Sequence, residues 1–204
     1  MDFEEFKGIV LVEPDAAVVE RYVFAGAPHV FGEWPEGLGV VRTHLNGELG
    51  CSHDNVVIVG SAKLGFSLSP DRFGRRFSDG SDVDVAVVDA ALFDEIWYTV
   101  LKWDYPRRRI GSSEWAAARR REMFSGWCAP AELTFVGLEF PELLVPVRDL
   151  SAKWFNAFHS LSLHPRLAAR EFNGRLYRTW DHAALYHADG IRQLRRALES
   201  AHSH

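Results

Sequence analysis

Cysteine is scarce in this chain: Cys51 and Cys128 are the only two in 204 residues. That is too few for a disulfide scaffold, and their separation lacks metal-site spacing. No apolar run approaches the roughly 18 residues needed to cross a bilayer, so no membrane partner is expected. An excess of positive charge is missing too. The net charge is −5, whereas non-specific duplex binding draws its affinity from lysine and arginine on phosphates. This weighs against copying of a nucleic-acid template. Internal repeats, low-complexity tracts and Ser/Gly-rich linkers are absent as well. What remains is one domain, 1–204, long enough to bury a substantial core. The opening Met1-Asp2-Phe3-Glu4-Glu5 is acidic and unlike a signal peptide, so the expected compartment is the cytoplasm.

Charge is unevenly spread. Residues 1–60 carry 10 acidic and 3 basic side chains, residues 61–150 carry 14 and 12, and residues 151–204 carry 4 and 8. The C-terminal part is therefore net basic, which leaves room for a local groove that handles anions.

The chemistry-bearing stretch lies between residues 56 and 88. The apolar run Val56-Val57-Ile58-Val59 ends in Gly60-Ser61, and a second run reads Ser81-Asp82-Val83-Asp84-Val85-Ala86-Val87-Val88. On a strand, residues two apart share a face. Asp82 and Asp84 then project together, while Val83, Val85 and Val87 enter a core. Two adjacent carboxylates repel each other unless a cation lies between them, and hard oxygen ligands suit Mg²⁺. A Gly-Ser turn beside them offers N–H groups and a hydroxyl to a phosphate chain. Metal beside phosphate is the minimal apparatus of phosphoryl or nucleotidyl transfer.

With an apolar strand ending in Gly-Ser followed by an Asp-x-Asp strand, the chain resembles the DNA polymerase β-like nucleotidyltransferase superfamily. The resemblance implies an α/β (α+β) fold, a small mixed sheet flanked by helices, with a core over about 28–148. C-terminal helices, about 149–204, pack on it. It further implies a Mg²⁺-dependent enzyme that moves a nucleoside monophosphate from an NTP or dNTP to a hydroxyl, releasing pyrophosphate. Gly60 and Ser61 would hold the triphosphate, and Asp82 and Asp84 would carry two Mg²⁺ ions. Active members have a third acid on a neighbouring strand; Glu139, in Gly137-Leu138-Glu139-Phe140, and Glu132, before Leu133-Thr134-Phe135-Val136, are the candidates, and a site with no third acid is the remaining alternative.

The segment 62–80 is longer than in minimal members of the superfamily. Its three glycines and one proline suggest an irregular loop, and loops of this length usually serve function. Lys63, Arg72, Arg75 and Arg76 bring four positive charges near the expected triphosphate. Lys63, two residues after Ser61, is the expected phosphate ligand.

Elsewhere, Asp15 reads as the cap of a short helix through Val23, although Val18-Val19 and Tyr22-Val23-Phe24 also suit a strand, and a helix is expected over about 37–48. Asp89 reads as the N-cap of a helix carrying Leu92, Phe93, Ile96, Val100 and Leu101. Ser112 or Ser113 would cap another, ending near Phe124. The β-branched and aromatic content from Leu133 to Val147 suggests one or two strands, with Asp149 capping the next helix. Leu150, Trp154, Phe158 and Leu161 form one apolar stripe; Trp180, Ala184, His187, Ile191, Leu194 and Leu198 form another. His187 reads as a structural histidine.

Val59 to Leu68, Phe77-Ser78-Asp79, Ser81 to Asp84, Gly126-Trp127 and Asn173 to His182 look like bacterial nucleotidyltransferase-like proteins, themselves similar to enzymes of antiviral signalling operons. That resemblance implies a nucleotide or short single-stranded oligonucleotide messenger acting on an effector protein. Two alternatives stand beside it: an antitoxin-like enzyme attaching AMP to a partner toxin, and a non-catalytic nucleotide-binding protein.

Overall fold

The computed structural model describes residues 1–107, 114–133, 142–167 and 170–202. Helix α1 (Phe3–Val12) is capped by the Asp2 carboxylate, which accepts from the Glu5 N–H. Helix α2 (Asp15–Val18) runs into a π-helical turn, Val19–Phe24; Asp15 thus lies in the first turn, not at the cap. Helix α3 (Gly37–Leu49) leads to strand β1 (Val56–Val59), helix α4 (Gly60–Leu64) and strand β2 (Val83–Val88). Asp89 caps helix α5 (Ala90–Asp104) by accepting from the Leu92 N–H at 2.9 Å. Then come α6 (Glu114–Phe124), β3 (Trp127–Cys128), α7 (Val145–Ser162), β4 (Phe172–Tyr177) and α8 (Trp180–His202).

The four strands form one mixed sheet in the order β1-β2-β4-β3. β1 runs antiparallel to β2, β4 parallel to β2, and β3 antiparallel to β4. Alternation divides each strand cleanly between two cores. Val56, Ile58, Val83, Val85, Val87, Phe172 and Leu176 face one core, with α3, α5 and α7 above them. Val57, Val59, Ala86, Val88 and Tyr177 face the other, covered by α1, the π-turn and α8. Gly174, in the middle of β4, makes room for α7: a Cβ there would meet the Phe158 ring at 2.2 Å. Mid-strand glycine weakens a strand by itself; here it admits an aromatic ring to the core.

Three expectations need correction. The part of 133–147 that is described holds a 3₁₀ turn, Glu142–Leu144, and the start of α7 at Val145; residues 134–141 lie outside the described residues. Valine favours strands, but Pro146 in the first turn suits a helix start, and Val147 is buried by helical packing. Asp149 consequently lies inside α7 rather than at its cap. The C-terminal segment is also not purely helical, because it returns β4 to the interior of the sheet. Ser112 and Ser113 fall outside the described residues. No described helix is long and apolar enough to cross a membrane.

Candidate functional site

Strand polarity gathers the site at one end of the sheet. β1 arrives there with its C-terminal end, and β2 and β4 leave from it with their N-terminal ends. The register pairs Val59 with Asp84 across β1 and β2, and Asp84 with Asn173 across β2 and β4. Gly60 and Ser61 therefore stand beside Asp84, and Asp82 lies two residues earlier on the same face. All four line an open cleft of about 1550 Å³.

Gly60 is required here by geometry. Its φ is +64°, and a Cβ on it would sit 2.7 Å from Asp84 Oδ2. The turn can press against the carboxylate only because no side chain intervenes. Gly60→Ala is expected to destabilise the fold by about 1–2 kcal/mol from the left-handed backbone alone and to displace the Asp84 carboxylate. Mn²⁺ titration followed by paramagnetic resonance should then read weaker binding. Unchanged Mn²⁺ affinity would detach the turn from the carboxylates.

Asp84 has a perturbed carboxyl. The protein around the concavity desolvates it and pushes its pKa up to about 6; Arg175 opposes this and Asp82 adds to it. At neutral pH Asp84 is ionised without a hydrogen-bonded counter-ion among the described residues, the condition expected of a carboxylate built to meet a cation. Oxygen donors on one strand face, beside a bare backbone turn, fit Mg²⁺.

Lys63 is absent from this arrangement. Its side chain is buried, and the ammonium donates to the carbonyls of Ala25, Gly26 and Ala27 at 2.5, 2.6 and 3.5 Å. Helix geometry explains the outcome: as the fourth residue of α4, Lys63 points into the turn that follows the π-helix. Burial lowers its pKa. The expected phosphate ligand is a clamp between two segments of the fold.

The 62–80 loop is more ordered than its composition suggests. Ser67 N–H donates to Arg75 O, Gly74 N–H to Ser67 O and Phe77 N–H to Gly65 O, so the segment folds back as a ribbon. Phe66 anchors its base against Phe3 and Phe6 of α1. Arg72, Arg75 and Arg76 are carried to the cleft rim, where Arg72 pairs with Asp71.

Of the two candidates for a third acid, only Glu132 is among the described residues. Glu139 lies outside the described residues. Glu132, at the end of a 3₁₀ turn after β3, is exposed and lines the cleft. Sequence reasoning missed Glu171. Its carbonyl accepts from the Val83 N–H at 2.8 Å, which extends the β2–β4 register one step and sets Glu171 opposite Asp82. Alternation then puts Glu171, Asn173 and Arg175 on the face that carries the two aspartates. Recognising Phe172 to Tyr177 as a strand is the signal needed, and Asn173-Gly174 disguises it as a turn. Among the described residues no three acids, histidines or cysteines gather closely enough to enclose one ion.

His187 lines the cleft beneath Phe24, with its Nε2 3.4 Å from the Tyr177 hydroxyl. Burial, aided by Arg175, lowers its pKa to about 4, so it is neutral at physiological pH and serves packing. Comparison of the chain with protein-family models, curated proteins and solved structures finds no match in any of the three.

Proposed function

We propose that the protein is a Mg²⁺-dependent nucleotidyltransferase with a compact form of the polymerase β-like fold. The observation that carries this reading is the close approach of Gly60 to Asp84, which seats a Gly-Ser turn against an Asp-x-Asp strand. Asp82 and Asp84 would hold the metal, and the Ser61 hydroxyl and neighbouring N–H groups would face the phosphates. When bound, Mg²⁺ supplies Lewis acidity that favours an attacking hydroxylate and a pyrophosphate leaving group. In the transfer itself the acceptor oxygen bonds to the α-phosphorus, and the bond from that phosphorus to the bridging oxygen breaks. Pyrophosphate carries off the electron pair. The hydroxyl proton needs a carboxylate, and Glu132 and Glu171 stand in the cleft to receive it.

A specific observation favours a second reading, nucleotide binding without transfer: three ligating side chains do not gather among the described residues. Incubation of purified protein with Mg²⁺ and each labelled NTP or dNTP separates the two. Transfer releases pyrophosphate and creates a new labelled species. Label in a small or oligomeric nucleotide supports messenger synthesis for an effector; label in protein, only when a partner toxin is added, supports the antitoxin-like activity. Binding without turnover leaves the non-catalytic reading. Neither binding nor turnover with any triphosphate would remove the proposal.

A further inference from the structure

The cleft contains a cation to which the sequence motifs assign no role. Arg175 stands in mid-β4 in register with Ala86, one step along the same sheet face from Asp84. Its guanidinium packs over both Trp127 and Tyr186, with ring centroids 4.8 and 4.6 Å away and the two rings meeting edge-to-face at 5.4 Å, and Nη1 donates to the Tyr186 hydroxyl. Nε is buried without a hydrogen-bond partner, and among the described residues no carboxylate pairs with the group. Asp84, Glu122, Tyr177, Tyr186 and His187 are the titratable groups within its electrostatic reach.

A half-buried guanidinium lacking a paired anion is costly to maintain. Its planar fork matches phosphate geometry, and aromatic faces hold that fork in place without neutralising it. The other cations near the cleft are differently engaged. Lys63 is bound to carbonyls; Arg170 donates to Ser78 O and Asp79. Arg75 and Arg76 are exposed on the ribbon. Within the nucleotide-binding reading given above, on which this inference rests, the phosphate chain calls for a fixed positive charge that the two aspartates do not supply. We propose that Arg175 is that charge, the inner anchor for the phosphate chain of a bound nucleoside triphosphate.

The test uses the full chain, inorganic tripolyphosphate with Mg²⁺ as the probe, and calorimetry. Charge-assisted hydrogen bonds are worth about 1.5–3 kcal/mol, so Arg175→Gln should weaken tripolyphosphate binding roughly 10- to 100-fold. Mn²⁺ affinity, measured separately, should hold or rise, because removing a nearby cation does not harm a metal site. Arg175→Lys should recover only part of the loss. Should the glutamine variant fail to fold, the lysine variant decides alone, with a loss of at least several-fold expected. Wild-type binding matched by the folded variants would overturn the role of Arg175 and leave the nucleotide-binding reading intact. Wild-type protein that binds no tripolyphosphate and no triphosphate would overturn both.

Discussion

Asp84→Asn is expected to reduce nucleotide transfer by at least about 10³-fold, the upper end of what loss of one preorganised electrostatic contact costs, while raising the melting temperature of the metal-free protein at pH 8. The two effects share one cause. The Asp84 carboxyl titrates near 6 in the fold, against 3.8 for a free aspartate. Between those values the native state holds a proton that the unfolded chain has released. Native stability therefore falls as pH rises through that window, and the whole penalty is present above it. Asp84 opens onto the cleft, so water offsets part of this penalty; asparagine carries no charge for the cleft walls to desolvate. The advantage of the variant should be small near pH 4, grow towards pH 6 and level off beyond. Mn²⁺ should stabilise the wild type, by binding the native state preferentially, and do little for the variant. Thermal melts across pH, with and without Mn²⁺, read all of this. An asparagine variant that melts below the wild type at pH 8 without metal would mean that the carboxylate is already satisfied by the chain itself. An undiminished transfer activity in the same variant would place the chemistry elsewhere.

Lys63→Ala should lower unfolding stability by about 2–3 kcal/mol, the scale of hydrogen bonds made by a charged donor, and leave triphosphate affinity unchanged. The carbonyls of Ala25, Gly26 and Ala27 would lose their shared donor in a place where the side chain is buried. Lys63→Met, which keeps most of the bulk, separates lost charge from lost packing: a similar deficit in both variants assigns the effect to the ammonium. Urea unfolding and calorimetry with a non-hydrolysable triphosphate give the two readouts. Full stability combined with lost affinity would return Lys63 to the phosphates.

The contrast between Lys63 and Arg175 shows how far local pattern carries. Lys63 lies two residues from Ser61, and proximity along the chain made it the natural phosphate ligand. The short helix α4 turns it away from the cleft and into carbonyls about 37 residues earlier in the chain. Arg175 is 91 positions beyond Asp84 in the numbering, yet one strand away in space. Nothing in its neighbours in sequence advertises the position. The same holds for Glu171, whose place opposite Asp82 exists only once β4 joins β2.

Much of the scaffold was legible because it depends on short-range signals. Alternation in Val83 to Val88 placed the aspartates on one face and the valines on the other, as β2 has them. The Asp89 cap and the 4-3-4 spacing of α8 likewise needed only neighbours within a helix turn or two. Over 142–147 the structure departs from the expected strand because valine propensity is a weak prior against Pro146 and the packing of Val147 and Trp154.

By itself the chain's order of residues determined α3, α5 and α8 and the two-sided β2 strand, products of local periodicity and capping, and it supplied the glycine that the turn at Gly60 requires. The tertiary structure alone decided which charges enter the cleft, because strand order and helix direction, not distance along the chain, settle which side chains share a face. The parallel pairing of β4 with β2 is the physical step that turns an acidic strand into a walled site with Arg175 at its inner side.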